Sequence, residues 1–276
     1  MKQKKTIFVT GLPRAMTTLL CNVLANNPRI GGGETSPLLE YIYGARYNFS
    51  TTPEVKSALS DEEMTDSFLA FCKAGMNAYA EQITQKEIYL DKSRGWIHYA
   101  PFLWKFNPEA KIIVCIRDLR SIVSSLEKKW RENPEIIDSR DQPQNQDFVT
   151  IDQRANHFLN DAPLGIALKR LHNALTTKTL DKMYVVKAED FTQNPEKSMK
   201  GVYDFIAEPY YEMDYKNIKQ VTIENDRISD FGIYGDHKIR TSIEALPKDS
   251  NEILGTQICQ QIKASFGWFY ENFKYY

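Results

Sequence analysis

The run Ile7-Phe8-Val9-Thr10-Gly11-Leu12-Pro13-Arg14-Ala15-Met16-Thr17-Thr18-Leu19-Leu20 constrains the fold most. An apolar strand passes through a turn marked by Gly11 and Pro13 into a helix predicted over Thr17 to Ala25. Free N–H groups of the helix start would face whatever occupies the turn, and Arg14 adds a permanent cation. The hydroxyls of Thr17 and Thr18 add donors. The segment suits an anion cradle, or simply the first strand and turn of an α/β domain. A Walker loop is excluded: counted from Gly11, the second glycine position holds Met16 and the lysine position holds Thr17.

Further strand candidates are Lys5 to Thr10, Glu87 to Asp91, Lys111 to Arg117 and Met183 to Lys187, and helical patterns lie between them. Such alternation predicts an α/β three-layer sandwich with a central parallel sheet. One domain over 1–276 is expected, with a helical insertion at about 37–86. Ser60-Asp61-Glu62-Glu63 forms a capping box before a helix with Phe68, Phe71, Cys72 and Ala78 at helical spacing. A helix is expected from Ser121 to about Arg131, and another from Ile151 to Thr177, kinked or broken at Pro163. Asn194-Pro195-Glu196 opens a further one that continues to Ile206. Leu254, Ile258, Ile262, Phe266 and Phe269 predict a helix packed by one face over Asn251 to Tyr276. The polar segment from Asn133 to Gln146 predicts a mobile loop at about 133–150, either a lid over a substrate or a plain connection.

With 35 basic and 36 acidic residues, no global field points to nucleic acid or membrane as partner. The apolar run that ends at Gly11 holds a strand's worth of residues, too few for a signal core or a membrane span, so a cytoplasmic protein is expected. Cys21, Cys72, Cys115 and Cys259 lack C-x-x-C spacing and suit reduced core thiols. With His98, His157, His172 and His237 equally scattered, no metal site is expected. Oligomeric state has no signature in the sequence.

Three more segments carry possible chemistry. The strand Ile112 to Ile116 ends at Arg117, where an open parallel sheet places ligands, and Ser125 follows two helical turns on. That arginine could grip a phosphate or pair with Asp118. Gly31-Gly32-Gly33-Glu34 allows close backbone approach, with Glu34 at a loop-to-helix junction as a cap or a general base. The strand Tyr89 to Asp91 ends in Lys92 and Arg94, which suit either a site or surface charge.

The run Pro13-Arg14-Ala15-Met16-Thr17-Thr18 resembles the P-loop-like phosphosulfate loop of sulfotransferases, P-[RK]-S-G-T-T, with Ala15 and Met16 in place of serine and glycine. That loop grips the 5′ end of 3′-phosphoadenosine 5′-phosphosulfate (PAPS). Arg117 and Ser125 resemble the family's 3′-phosphate motif, an arginine and a serine eight positions apart. The path through Glu34 is similar to protein tyrosine sulfotransferases, whose pattern continues through a helix and a proline to G-E-E-T-R. With a one-residue deletion Glu34-Thr35 falls on its E-T, which places Glu34 on the catalytic base, and Ser36 replaces the arginine. Lys92 matches the family's strand-end lysine of K-x-P, which touches the sulfuryl group, with Arg94 replacing the proline. Ala188 to Pro195 with Val202 to Ile206 looks like the family's Y-E-D-L...P...F-L element, and Lys238 and Arg240 are candidates for its C-terminal basic segment.

The resemblance runs from Thr6 to about Arg240. It implies sulfuryl transfer from PAPS, without metal, to a hydroxyl of a small-molecule or peptide acceptor. Arg14, Lys92 and Glu34 would be catalytic, and Pro13 to Thr18 would bind the co-substrate with Arg117, Ser125, Lys238 and Arg240. Two other readings stay open: a kinase with a divergent phosphate loop, using Asp91 or Asp118 for Mg²⁺, and a non-catalytic nucleotide-binding relative. The acceptor pocket would be built by the helices between Leu38 and Gln85 and the loop after Asn133, and Tyr41, Tyr43, Tyr47 and Trp96 could line it or pack in the core.

Overall fold

The computed structural model describes residues 4–58, 61–132, 149–226 and 237–275. Five parallel strands form one sheet: β1 (Lys5–Gly11), β2 (Ile30–Thr35), β3 (Ile88–Lys92), β4 (Lys111–Ile116) and β5 (Tyr184–Lys187), in the order β2-β3-β1-β4-β5. β1 is central and apolar because both its faces are covered: Ile7, Phe8 and Val9 have no exposed surface. The chain leaves β1 through α1 (Thr17–Ala25) towards β2, and leaves β3 through α5 (Trp96–Phe106) towards β4 on the other side. Right-handed crossovers in opposite directions put these two helices on opposite faces of the sheet. Phe8 meets Trp96 of α5 edge-on at 4.8 Å between ring centroids.

The expected strands and the first helix are present, with end shifts of one residue. The stretch from Ile30 to Thr35 departs from expectation: it is strand β2, not a glycine loop leading to a helix. Gly31 and Gly32 pair with Tyr89 and Leu90, and the register shifts between Gly32 and Thr35. The glycines serve this pairing, since a β-carbon on Gly32, at φ 90°, would lie 2.6 Å from the Leu90 carbonyl oxygen.

Between β2 and β3 the chain forms α2 (Leu38–Thr51), α3 (Pro53–Ala58) and α4 (Asp61–Ile83). Ser60 of the expected capping box lies outside the described residues. On α4 the buried row is Met64, Cys72, Met76 and Ala80, while Phe71 is 62% exposed. Tyr41 and Tyr47 are also exposed, and Trp96 is wholly buried in the core. After β4 come α6 (Leu119–Glu132), α7 (Ile151–Asn160) and α8 (Leu164–Thr176), so the expected long helix breaks at Pro163. Residues 133–148, where a loop was expected, lie outside the described residues. β5 is followed by α9 (Ala188–Gln193) and α10 (Pro195–Phe205), the latter capped by the Asn194 side chain on the Lys197 N–H.

The C-terminal run is three short helices, α11 (Ser250–Leu254), α12 (Thr256–Ser265) and α13 (Gly267–Asn272), where one had been expected. Gly255 at φ 83° breaks the first pair, and Leu254, Ile262 and Phe269 remain the buried positions. The four cysteines are buried free thiols. Among the described residues no helix is long and apolar enough to cross a membrane.

A buried ionic network joins α6 to α7. Glu127 receives Arg154 Nε at 2.7 Å and Nη2 at 2.8 Å, and Arg131 Nε at 2.7 Å. Burial alone would raise the Glu127 carboxyl, but the two guanidinium groups outweigh it and hold its pKa below the usual value. Its contribution is therefore complete above the unfolded carboxylate pKa and is lost as pH falls through the lowered folded value. Glu127→Gln should cost on the order of 3 kcal/mol at pH 7, and the penalty should shrink in acid; urea denaturation at both pH values measures it.

Candidate active site

The turn after β1 is aimed by its contact with β4. Gly11 pairs with Cys115, and a β-carbon there would sit 2.3 Å from the Cys115 carbonyl oxygen, which also accepts the Leu12 N–H at 2.9 Å. Beyond Gly11 the chain adopts left-handed backbone at Arg14 (φ 60°) and Met16 (φ 64°), each costing roughly 1–2 kcal/mol for a residue with a β-carbon. Met16 thus has the conformation for which the family loop carries glycine. It precedes α1 without a side-chain cap, and the first turn of α1 has no acidic residue. The N-terminal N–H groups and dipole of α1 are left for an anion. By contrast, Thr150 and Gln153 close a full capping box on α7.

Two elements, β4 and α6, converge on this turn. Arg14 Nε donates to Ser125 Oγ on α6 at 3.2 Å, and Arg117 Nη1, at the end of β4, donates to the Arg14 carbonyl at 3.0 Å. Arg117 is 6% exposed, and its Nε is buried without a hydrogen-bond partner, as is Thr10 Oγ1 nearby. No carboxylate comes within ion-pairing distance of Arg117 among the described residues. Asp118, the alternative partner, is instead held by Arg120, whose Nε lies at 3.0 and 3.1 Å from its two oxygens, and by Tyr270 Oη at 3.0 Å. Glu189 is taken by the Asp118 N–H at 3.0 Å and Tyr275 Oη at 2.8 Å. Burial, with the neighbouring Arg14 charge, lowers the pKa of Arg117 against the pull of Glu189 and Asp118.

A cavity of about 360 Å³ opens at this carboxyl edge. Its walls are the turn from Gly11 to Thr18 without Ala15, then Thr35, Lys92 to Arg94, Arg117, Ser125, Thr192, and the segment His237 to Pro247 without Thr241. It gathers Pro13, Arg14, Met16, Thr17, Thr18, Lys92, Arg117, Ser125, Lys238 and Arg240 around one space. Ala15 is 2% exposed, and its N–H is used by the Leu12 carbonyl at 3.3 Å, so it supports the turn from beneath. Glu34 is half-buried on β2 and does not line the cavity, although its neighbour Thr35 does. It stands close enough to act on the Cys21 thiol, which burial raises to about 12, opposed by Lys92 and helped by Glu224, Asp91 and Glu34. Asp91 has no exposed surface: Tyr89 Oη donates to it at 2.8 Å and Trp96 Nε1 also donates, so neither Asp91 nor Asp118 faces the cavity.

Lys92 points to residues that sequence reasoning missed. Its Nζ ion-pairs Glu224 and lies 3.5 Å from Thr18 Oγ1. Glu224 also accepts from Thr35 Oγ1 at 2.7 Å and lies 3.1 Å from His237 Nε2. Glu224 had no motif to mark it, whereas His237 sits in the basic run that drew attention to Lys238 and Arg240. Among the described residues no group of histidine, cysteine and acidic side chains is arranged to hold a metal.

Sheet order, turn and cavity define a P-loop-like α/β protein with a cationic cleft at the carboxyl edge of its sheet. The chain belongs to the sulfotransferase family, whose model matches residues 6–212. It is 26% identical over 214 residues to protein-tyrosine sulfotransferase 1 of Danio rerio, covering 76% of this chain and 55% of that protein. To protein-tyrosine sulfotransferase 2 of Gallus gallus it is 27% identical over 130 residues, covering 45% of this chain and 34% of the other. The chain thus spans about half, or less, of the length of these relatives. Among solved structures, the sulfotransferase domain from the curacin biosynthetic pathway aligns with a TM-score of 0.53 at 13% identity, over 97% of this chain and 99% of that one. Retinol dehydratase in complex with retinol and PAP aligns with a TM-score of 0.52 at 16% identity, over 99% and 82%. At such identities the likeness is one of fold.

A buried guanidinium without a counter-ion is a cost that a bound anion would remove. Arg117→Met should therefore raise ligand-free stability by about 1–2 kcal/mol while reducing the stabilisation by added adenosine 3′,5′-diphosphate; differential scanning calorimetry reads both.

Proposed function

We propose that the protein transfers the sulfuryl group of PAPS to a hydroxyl of a small-molecule or peptide acceptor. The observation that carries this reading is the guanidinium of Arg117, buried, without a carboxylate and bonded to the Arg14 carbonyl, beside the turn that faces an uncapped helix start. The cleft therefore suits a ligand anionic at two ends. When bound, PAPS supplies an activated sulfuryl group and a stable diphosphate leaving group.

The chain's own residues divide the work. N–H groups of the turn and of the α1 start, with the Thr17 and Thr18 hydroxyls, bind the 5′ end, for which Pro13 and Met16 shape the turn. Arg117 and Ser125 hold the 3′-phosphate, and Lys238 and Arg240 close the nucleotide side. These contacts lie away from the reacting bond and convert binding energy into orientation. Arg14 and Lys92 offset charge that grows on the leaving and transferring oxygens, which in a preorganised site is the larger catalytic effect. Glu34, by its match to the family base, takes the acceptor's proton at its carboxylate, worth about 10²–10⁴-fold. Ser36 in place of the family arginine leaves the acceptor side without that cation.

The kinase reading needs a carboxylate facing the cavity for Mg²⁺. Asp91 and Asp118 are both engaged elsewhere, and Glu244, which lines the cavity, is ion-paired with Arg240, which favours the sulfuryl donor. A thermal shift by adenosine 3′,5′-diphosphate without Mg²⁺, and none by ATP with Mg²⁺, is the expected result; the reverse would select the kinase. Arg117→Ala should weaken the 3′,5′-diphosphate roughly 50-fold and AMP scarcely at all, measured by calorimetry. Glu34→Gln should abolish transfer of labelled sulfate from PAPS while nucleotide affinity stays near wild type.

A further inference from the structure

Three side chains that line the cleft, Thr35, Lys92 and His237, share one carboxylate of the protein itself. The Glu224 carboxylate is received by Lys92 Nζ, by Thr35 Oγ1 at 2.7 Å and by His237 Nε2 at 3.1 Å. The side chains of Lys92 and Glu224 are 8% and 11% exposed, so the pair is largely withdrawn from solvent. His237 is bracketed by a second carboxylate, because its Nδ1 meets Asp226. The group thus brings Lys92 and His237 together with two carboxylates. Among the described residues Glu224 is the carboxylate ion-paired with Lys92, whose Nζ otherwise lies 3.5 Å from Thr18 Oγ1.

This placement is built rather than incidental. Asn22 on α1 accepts the N–H groups of Val221 and Thr222 on its Oδ1 at 2.6 and 3.0 Å, and its Nδ2 donates to Thr222 Oγ1 at 2.8 Å. One turn later Asn26 Nδ2 donates to the Lys219 carbonyl at 2.9 Å, and its Oδ1 accepts the Lys219 N–H at 3.2 Å. Gln220 ties the same segment to the His237 carbonyl and the Ile239 N–H, each at 2.9 Å. The backbone over 219–222 is thus pinned along α1, two residues before Glu224.

We propose that Glu224 is a resident counter-ion for the sulfuryl subsite, holding Lys92, Thr35 and His237 in the absence of donor and exchanging with the sulfuryl oxygens when the donor enters. The inference rests on the sulfuryl-transfer reading, in which Lys92 meets the transferring group. A carboxylate and a sulfuryl group both present negative oxygens to the same donors, so they compete for one place. Glu224 opposes entry of the sulfuryl end and recaptures Lys92 once that group has left with the acceptor. A nucleotide that lacks the sulfuryl group leaves the pair intact and does not feel this competition.

Inorganic sulfate is the probe, titrated by calorimetry into wild type, Glu224→Gln, Lys92→Met and the double variant, with adenosine 3′,5′-diphosphate in parallel. Glu224→Gln should bind sulfate roughly tenfold tighter, with diphosphate affinity within about twofold of wild type. Adding Lys92→Met should erase the gain. Unchanged or weaker sulfate binding in Glu224→Gln overturns the proposal, and so does a gain that survives Lys92→Met. Should Glu224→Gln fail to fold, Glu224→Asp, which keeps the charge but draws it back from Lys92, should show the same change to a lesser degree, and its absence overturns the proposal. If neither wild type nor variant binds the diphosphate while the sulfate gain persists, the donor assignment fails and the counter-ion role stands.

Discussion

The close approach of Gly11 to the Cys115 carbonyl is the contact on which the cleft depends. It binds the carboxyl end of β1 to that of β4 with no room for a β-carbon. From there the chain has to leave the sheet beside Arg117, which reaches back to the Arg14 carbonyl. Arg14 in turn reaches Ser125 on the helix that follows β4. Two crossover units of the sheet are thereby locked at the point where the connections diverge, the usual place for a ligand in an open parallel sheet.

The core and the cleft divide the charged groups in different ways. Away from the cleft, buried ions are matched, as where Glu127 faces Arg154 and Arg131, or Asp118 faces Arg120. At the cleft Lys92 is matched by Glu224, but Arg117 is buried without a match, two residues adopt left-handed backbone, and α1 begins without a cap. These costs cluster where an anion would offset all three together. The apolar core around Ile7, Phe8, Val9 and Ile112 to Ile116 makes such a local deficit tolerable.

The legible parts of the molecule were those written contiguously. The strand, turn and helix from Lys5 to Ala25 are visible because periodicity, turn residues and the cation lie within one window, and Arg117 and Ser125 share one strand and its helix. Gly31-Gly32-Gly33 misled because glycine permits a loop as well as a close strand contact, and pairing with Tyr89 and Leu90 decided the matter. The C-terminal periodicity identified the buried face at Leu254, Ile262 and Phe269, but Gly255 interrupts the helix. Glu224 was illegible for another reason: its partner Lys92 is 132 positions away, and no local pattern encodes that meeting.

The asparagines of α1 draw a further consequence. Asn22 and Val221 are 199 positions apart, yet their hydrogen bond helps to fix the segment that carries Glu224 to Lys92. Contacts of such separation form after the loops between them have been closed. On the ribosome, the sheet and its anion turn would have emerged well before the segment that covers Lys92. A nascent chain therefore passes through a stage in which the sheet and its anion turn are in place while Lys92 is still uncovered.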